Sequence, residues 1–124
     1  GRPAYLYHFS YLAEAMRGKV PGAPHGSEIR FVFNNVTVGP QGAQATEAEK
    51  KLAALMSGYW VAFARSGNPN GAGRPEWPAC DPATDKLMEF GTEVQVRANF
   101  RKEKLGIIDA FQLRLPGMSE AARQ

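Results

Sequence analysis

The sequence predicts an α/β chain. Residues 4–9 form an aromatic, almost wholly apolar run, and residues 46–66 are a capped stretch whose apolar positions recur with a helical period. Two short strand-like stretches follow at 86–90 and 93–98, ahead of a further helical pattern. The length of 124 residues is that of one ordinary domain, and an apolar fraction of 44% is that of a chain with a packed core.

The run Ala4-Tyr5-Leu6-Tyr7-His8-Phe9 is apolar at nearly every position. That pattern suits a strand buried on both faces, as in a parallel sheet. Such a strand needs neighbours on both sides, and no comparable strand stands near it, so the chain is expected to be part of a larger unit. Gly18, Pro21, Gly22 and Pro24 break residues 10–24 into a loop. Ile29, Val32 and Phe33 then fall at i, i+3 and i+4, which predicts a short helix. Asn34-Asn35 and Gly39-Pro40-Gln41-Gly42 form a second loop.

Thr46 and Glu49 have the spacing of a capping box, in which each side chain satisfies a backbone donor at a helix start. Leu52, Leu55, Met56, Tyr59, Trp60 and Phe63 follow at helical spacing and read as a core-facing stripe rather than a ligand platform. Gly67 can adopt the positive φ that ends a helix, and Asn68-Pro69-Asn70-Gly71 turns the chain. A Pro-rich stretch at 71–85 holds Trp77-Pro78. The strands at 86–90 and 93–98 are joined at Gly91-Thr92. A closing helix is predicted over about 100–115, with Leu105, Ile108, Phe111 and Leu115 as its apolar positions, and a frayed tail after Pro116.

Composition excludes several classes of function. The net charge of +3 is mild, and Arg101, Lys102 and Lys104 are the one tight basic group, so the basic stripe of a nucleic-acid binder is missing. No apolar run reaches the roughly 20 residues that span a bilayer, so no membrane partner is expected. Gly1-Arg2-Pro3-Ala4-Tyr5 does not read as a signal peptide. Cys80 is the single cysteine, which rules out an internal disulfide and leaves the compartment open.

Hydrolytic chemistry needs a nucleophile, a base and an orienting group. None of Ser10, Ser27, Ser57, Ser66 or Ser119 lies in Gly-x-Ser-x-Gly, the strained elbow that exposes a nucleophile after a strand. His8, His25 and Cys80 have no metal-ligand spacing, and no phosphate or dinucleotide glycine pattern appears, so no metal or cofactor is expected. His25 stands out. It follows a loop that leaves the apolar strand and precedes a helix, at the C-terminal edge of the sheet, where α/β proteins place their sites. His8, inside the strand, reads as a packed or edge histidine.

Tyr5-Leu6-Tyr7-His8-Phe9, followed by Pro24-His25-Gly26-Ser27-Glu28-Ile29 and Phe31-Val32-Phe33, resembles the type-B carboxylesterases, the family of cholinesterases and bacterial para-nitrobenzyl esterases. Tyr59-Trp60-Val61-Ala62-Phe63-Ala64-Arg65-Ser66-Gly67-Asn68-Pro69-Asn70, Trp77-Pro78 and Phe90-Gly91 continue the resemblance in order, from about residue 4 to residue 97. The resemblance implies an α/β-hydrolase fold, of which residues 1–124 would be the C-terminal part of a single domain. It implies a Ser, Glu, His triad in that chain order, with His25 as the histidine. The nucleophile, the acid and the oxyanion-hole glycines would lie upstream, in a missing N-terminal part of the hydrolase that this chain needs as a partner. The substrate would be a small-molecule ester. Glu28 matches an acidic family position and is expected to anchor the loop or helix start. Ser27 stands where cholinesterases carry an aromatic residue, which argues against a quaternary-ammonium pocket. A non-catalytic relative of the neuroligin kind, or a small stand-alone α/β domain with an accidental resemblance, would be the competing readings.

Overall fold

The computed structural model describes residues 2–37 and 44–112. Three strands form one mixed sheet in the order β1-β2-β3: β1 is Tyr7–Phe9, β2 Lys86–Phe90 and β3 Val94–Ala98. β1 and β2 are parallel, with Tyr7 beside Met88 and Phe9 beside Phe90. β2 and β3 are antiparallel, with Lys86 opposite Ala98 and Phe90 opposite Val94. The helices α1 (Ile29–Val32) and α2 (Glu47–Ser66) lie in the connection between the parallel strands, and α3 (Lys102–Gln112) follows the sheet.

The expected strand at 4–9 is thus a three-residue strand, half-buried rather than buried on both faces. Its partner is not nearby in sequence: each registered pair, from Tyr7 with Met88 to Phe9 with Phe90, is 81 residues apart. The chain closes onto β1 through several donors. Met88 N and the Trp77 indole Nε1 both donate to the Leu6 carbonyl at 3.0 Å, and Cys80 N donates to the Ala4 carbonyl at 2.7 Å. At the other end, Ser10 N and Tyr11 N donate to the Phe90 carbonyl at 2.9 and 3.1 Å.

α2 forms as its sequence predicts. The Thr46 hydroxyl accepts from Glu49 N at 3.2 Å, and a Glu49 carboxylate oxygen accepts from Thr46 N at 2.9 Å, so both halves of the capping box are present. Gly67, at φ 73°, ends the helix. The inward stripe is buried at Leu52, Met56 and Tyr59 and half-buried at Leu55 and Trp60, whereas Phe63 near the C-terminal end is 46% exposed. Trp77 is the hub of the core. Its ring centroid lies 5.4 Å from Tyr59, 5.5 Å from Trp60 and 5.3 Å from Phe90. Asn70 holds Trp77 there: its side-chain amide donates to the Trp77 carbonyl at 2.9 Å and its amide oxygen accepts from Trp77 N at 2.7 Å.

The apolar positions of the two other helices are largely exposed. In α1 the deeply buried residue is Phe31, 1% exposed, while Ile29 and Phe33 are 55% and 76% exposed. One helical turn is too short for periodicity to fix its face, and the ring stacking of Phe31 on Phe9 and Tyr11 decides it instead. In α3 the apolar positions Leu105, Ile108 and Phe111 are exposed, because no described element covers that face; Leu115 and the tail lie outside the described residues, as does the loop glycine pair Gly39 and Gly42. Among the described residues no helix is long and apolar enough to cross a membrane.

On the face of β2 away from Trp77, the Glu89 carboxylate accepts from Ser10 Oγ at 2.8 Å and from Arg97 Nε at 2.6 Å. Burial alone pushes this carboxyl up, but the hydrogen bonds from Arg97 and Ser10, with the charges of Arg97 and His8, outweigh it and hold the group below the usual carboxylate range. A depressed carboxyl stabilises the fold fully above its unfolded pKa, and that contribution is lost as pH falls through the folded value. Arg97 is half exposed, so solvent screens the pair. Arg97→Met is expected to cost about 1 kcal/mol at pH 7, and the gap from the parent should close below about pH 4. Denaturation midpoints over a pH series check this, and a gap that widens toward acid would refute it. The core makes a second prediction. Phe90→Ala, at a site with no exposed surface, should cost about 3–5 kcal/mol, and Phe63→Ala about 1 kcal/mol, in equilibrium denaturation. Equal losses would contradict the packing described.

Candidate active site

The segment between β1 and α1 carries His25 in a pair of successive turns. Ser27 N donates to the Pro24 carbonyl at 3.1 Å, and Ile29 N donates to the Gly26 carbonyl at 3.2 Å. Gly26 has φ +74°, a left-handed conformation that costs other L-residues about 1–2 kcal/mol. A Cβ at Gly26 would make only ordinary contact with Ile29 Cδ1 at 3.5 Å, so backbone conformation rather than space requires glycine there. The Glu28 carbonyl accepts from Phe31 N at 2.9 Å and Val32 N at 3.0 Å, which starts α1. The buried Phe31 ring then ties the turn to the core.

His25 is exposed. It lines a hollow of about 280 Å³ together with Ala23, Pro24, Gly26, Glu28 and the three β1 residues Tyr7, His8 and Phe9. Successive strand residues point to opposite faces, so a hollow touching all three runs along a strand edge. β2 occupies one edge of β1, and the hollow therefore lies along the other, which no described strand pairs. The sequence expects His25 at the C-terminal edge of the sheet; in the structure it borders a hollow that runs along β1.

His8 also lines this hollow, which sequence reasoning did not foresee. The missed signal was geometric: along an edge, every residue of a three-residue strand is adjacent. The His8 ring also lies 4.6 Å from that of Phe100. Glu28 departs from its expected role. Its side chain makes no capping bond, because its backbone is already helical at φ −72° and ψ −23°, whereas a capping side chain needs an extended residue. Its carboxylate instead borders the hollow and faces Tyr7. Burial, and after it the charge of Glu28, push the Tyr7 hydroxyl above its usual range, so it stays protonated at neutral pH. Ser27 Oγ is buried with no hydrogen-bond partner among the described residues.

Ser10 donates its hydroxyl to Glu89 and Ser66 donates its own to the Ala62 carbonyl, so neither is held by a histidine. Among the described residues no group of three or more His, Cys, Asp or Glu could hold a metal ion. The hollow thus presents an accessible imidazole and a carboxylate on a fixed turn, an arrangement that can accept and return a proton.

Comparison with known proteins identifies the fold from which this piece comes. The model of the carboxylesterase family matches residues 1–108. Liver carboxylesterase 1 of Oryctolagus cuniculus is 43% identical over 108 residues, covering 85% of this chain and 18% of that protein. The medium-chain fatty acyl-CoA hydrolase precursor of Anas platyrhynchos is 42% identical over 108 residues, covering 85% of this chain and 19% of that protein. Among solved structures, a PNB esterase aligns with TM-score 0.68 at 28% identity, over 84% of this chain and 21% of its own. A Geobacillus stearothermophilus carboxylesterase aligns with TM-score 0.65 at 30% identity, over 83% of this chain and 21% of its own. The chain therefore spans about a fifth of the length of the relatives it matches. Its strands and helices are part of an α/β-hydrolase fold, and the chain belongs to the type-B carboxylesterase family.

Proposed function

We propose that this chain is part of a carboxylic ester hydrolase and that His25 is its general base. The observation that supports this most is the His25 turn itself, an exposed imidazole held beside an unpaired strand edge within the segment that matches the family. The nucleophilic serine and the triad acid come from outside these 124 residues, since the chain has no Gly-x-Ser-x-Gly. As the serine oxygen bonds to the ester carbonyl carbon, His25 takes the hydroxyl proton. Collapse of the tetrahedral intermediate breaks the bond to the alkoxy group, and the imidazolium returns the proton to the departing alcohol. Water then attacks the acyl-enzyme with the same proton relay, releasing the carboxylic acid and restoring the serine. An imidazole suits both halves because it titrates near neutral pH. The substrate is a small-molecule ester. Ser27 beside the histidine offers no aromatic face for a quaternary ammonium.

In the complete esterase His25→Ala should lower kcat by about 10⁴ or more, with a much smaller change in KM, because the base acts on chemistry rather than on binding. His8→Ala, whose ring stacks on Phe100, should leave kcat within a few-fold. The 124-residue chain by itself should not hydrolyse an activated ester. Steady-state kinetics of the two variants beside the parent check the assignment. Near-normal kcat in a folded His25 variant would end it.

A further inference from the structure

We infer that the Arg30–Glu49 ion pair is a positioning device for the His25 turn, joining α1 to α2 so that the imidazole is held in one orientation. This rests on the reading of His25 as the base.

α1 is a single four-residue turn, too short to be stable by itself. It directly follows the His25 turn, so any roll of α1 moves the imidazole. Phe31 anchors it to the core through the rings of Phe9 and Tyr11 at 5.3 and 5.5 Å. Val32 packs half-buried against the same core; apolar contacts of this kind are non-directional and leave a single helical turn room to roll. Arg30, the adjacent residue, points about 100° away around the helix axis. Its Nη2 donates to a Glu49 carboxylate oxygen at 2.9 Å, which supplies a directional tie against that roll. The Arg30 guanidinium also covers the Phe31 ring at 4.7 Å, so the two contacts brace each other. On the far side, Asn35 N donates to the Arg30 carbonyl at 2.7 Å and fixes the exit of α1.

Glu49 is suited to be the fixed end. It is 3% exposed, and its other carboxylate oxygen is held by Thr46 N at 2.9 Å and Thr46 Oγ1 at 3.3 Å. It sits in the first turn of a 20-residue helix packed on the sheet. The capping role alone needs no charge, since glutamine serves there as well. A buried charge is costly unless paired, so the charge points to Arg30 as a further function of this residue. A misplacement of about 1 Å in a reacting group can cost about 100-fold in rate.

The test uses the complete esterase. Glu49→Gln keeps the volume and an oxygen for the Thr46 donor but removes the ion pair; Arg30→Met removes the cation, and Arg30→Lys keeps it without the planar fork. Active sites are counted with a stoichiometric serine-reactive phosphonate taken to completion, and kcat is expressed per titrated site. Glu49→Gln and Arg30→Met should each lose about 10-fold or more in that kcat, with KM within about threefold, and Arg30→Lys should recover part of the loss. A merely structural pair would lower the number of active sites or the melting temperature and leave kcat per site unchanged, which would overturn the inference. Should Arg30→Met fail to fold, the near-isosteric Glu49→Gln decides alone, and should that fail too, Arg30→Lys decides, with parent kcat per site counting against the inference. His25→Ala run in parallel separates the two readings. If it keeps its kcat, the base assignment is wrong; if it loses kcat while Glu49→Gln does not, the assignment stands and the positioning role falls.

Discussion

The carbonyl oxygen of Leu6 is where this chain closes on itself. It receives the backbone N–H of Met88, which seats β2 beside β1, and the indole N–H of Trp77, which seats the hub of the core beneath the same strand. A parallel pair cannot be joined by a tight hairpin, so everything between β1 and β2 must make the crossover. The His25 turn, α1 and α2 are that crossover. The location of the histidine beside β1 and the packing of α2 on the sheet are therefore two results of one topological constraint. Most of the aromatic side chains collected around Trp77 come from segments far apart in sequence, which gives a small sheet a core that local contacts could not build.

What the sequence made legible were the features written locally. The Thr46 and Glu49 spacing predicted a capping box that is present in full, Gly67 ends α2 where expected, and β2 has the predicted bounds. The longest helix was readable because its apolar period repeats over about three turns, while α1 offered only one, which did not show that Phe31 is the buried residue. What escaped were pairings set by distant segments. The partner of β1 lies some 80 residues away, and nothing in Tyr7–Phe9 names it. The same holds for Glu49, whose capping partner is three residues away and legible, and whose second partner Arg30 belongs to another helix.

At the candidate site the balance is similar. The turn that carries His25 was legible from its place between an apolar strand and a helix. The presence of His8 in the same hollow was not, because strand alternation directs attention to faces and this hollow follows an edge. Glu28 was misjudged for a conformational reason: its backbone joins the helix, so its side chain is free to face Tyr7. The candidate site is thus a hydrogen-bonded turn presenting an exposed ring beside β1.

Asn70 bears on how the Pro-rich stretch after α2 can vary. Its amide reads both polar groups of the Trp77 backbone, one as donor and one as acceptor, in the way a neighbouring strand would. The six residues between them are consequently drawn into a buckle whose clasp is a single side chain. Aspartate, though nearly identical in shape, could engage the N–H but would set a negative charge against the carbonyl. The geometry of the hub thus depends on a distinction of one nitrogen for one oxygen, made at a surface turn well away from the histidine.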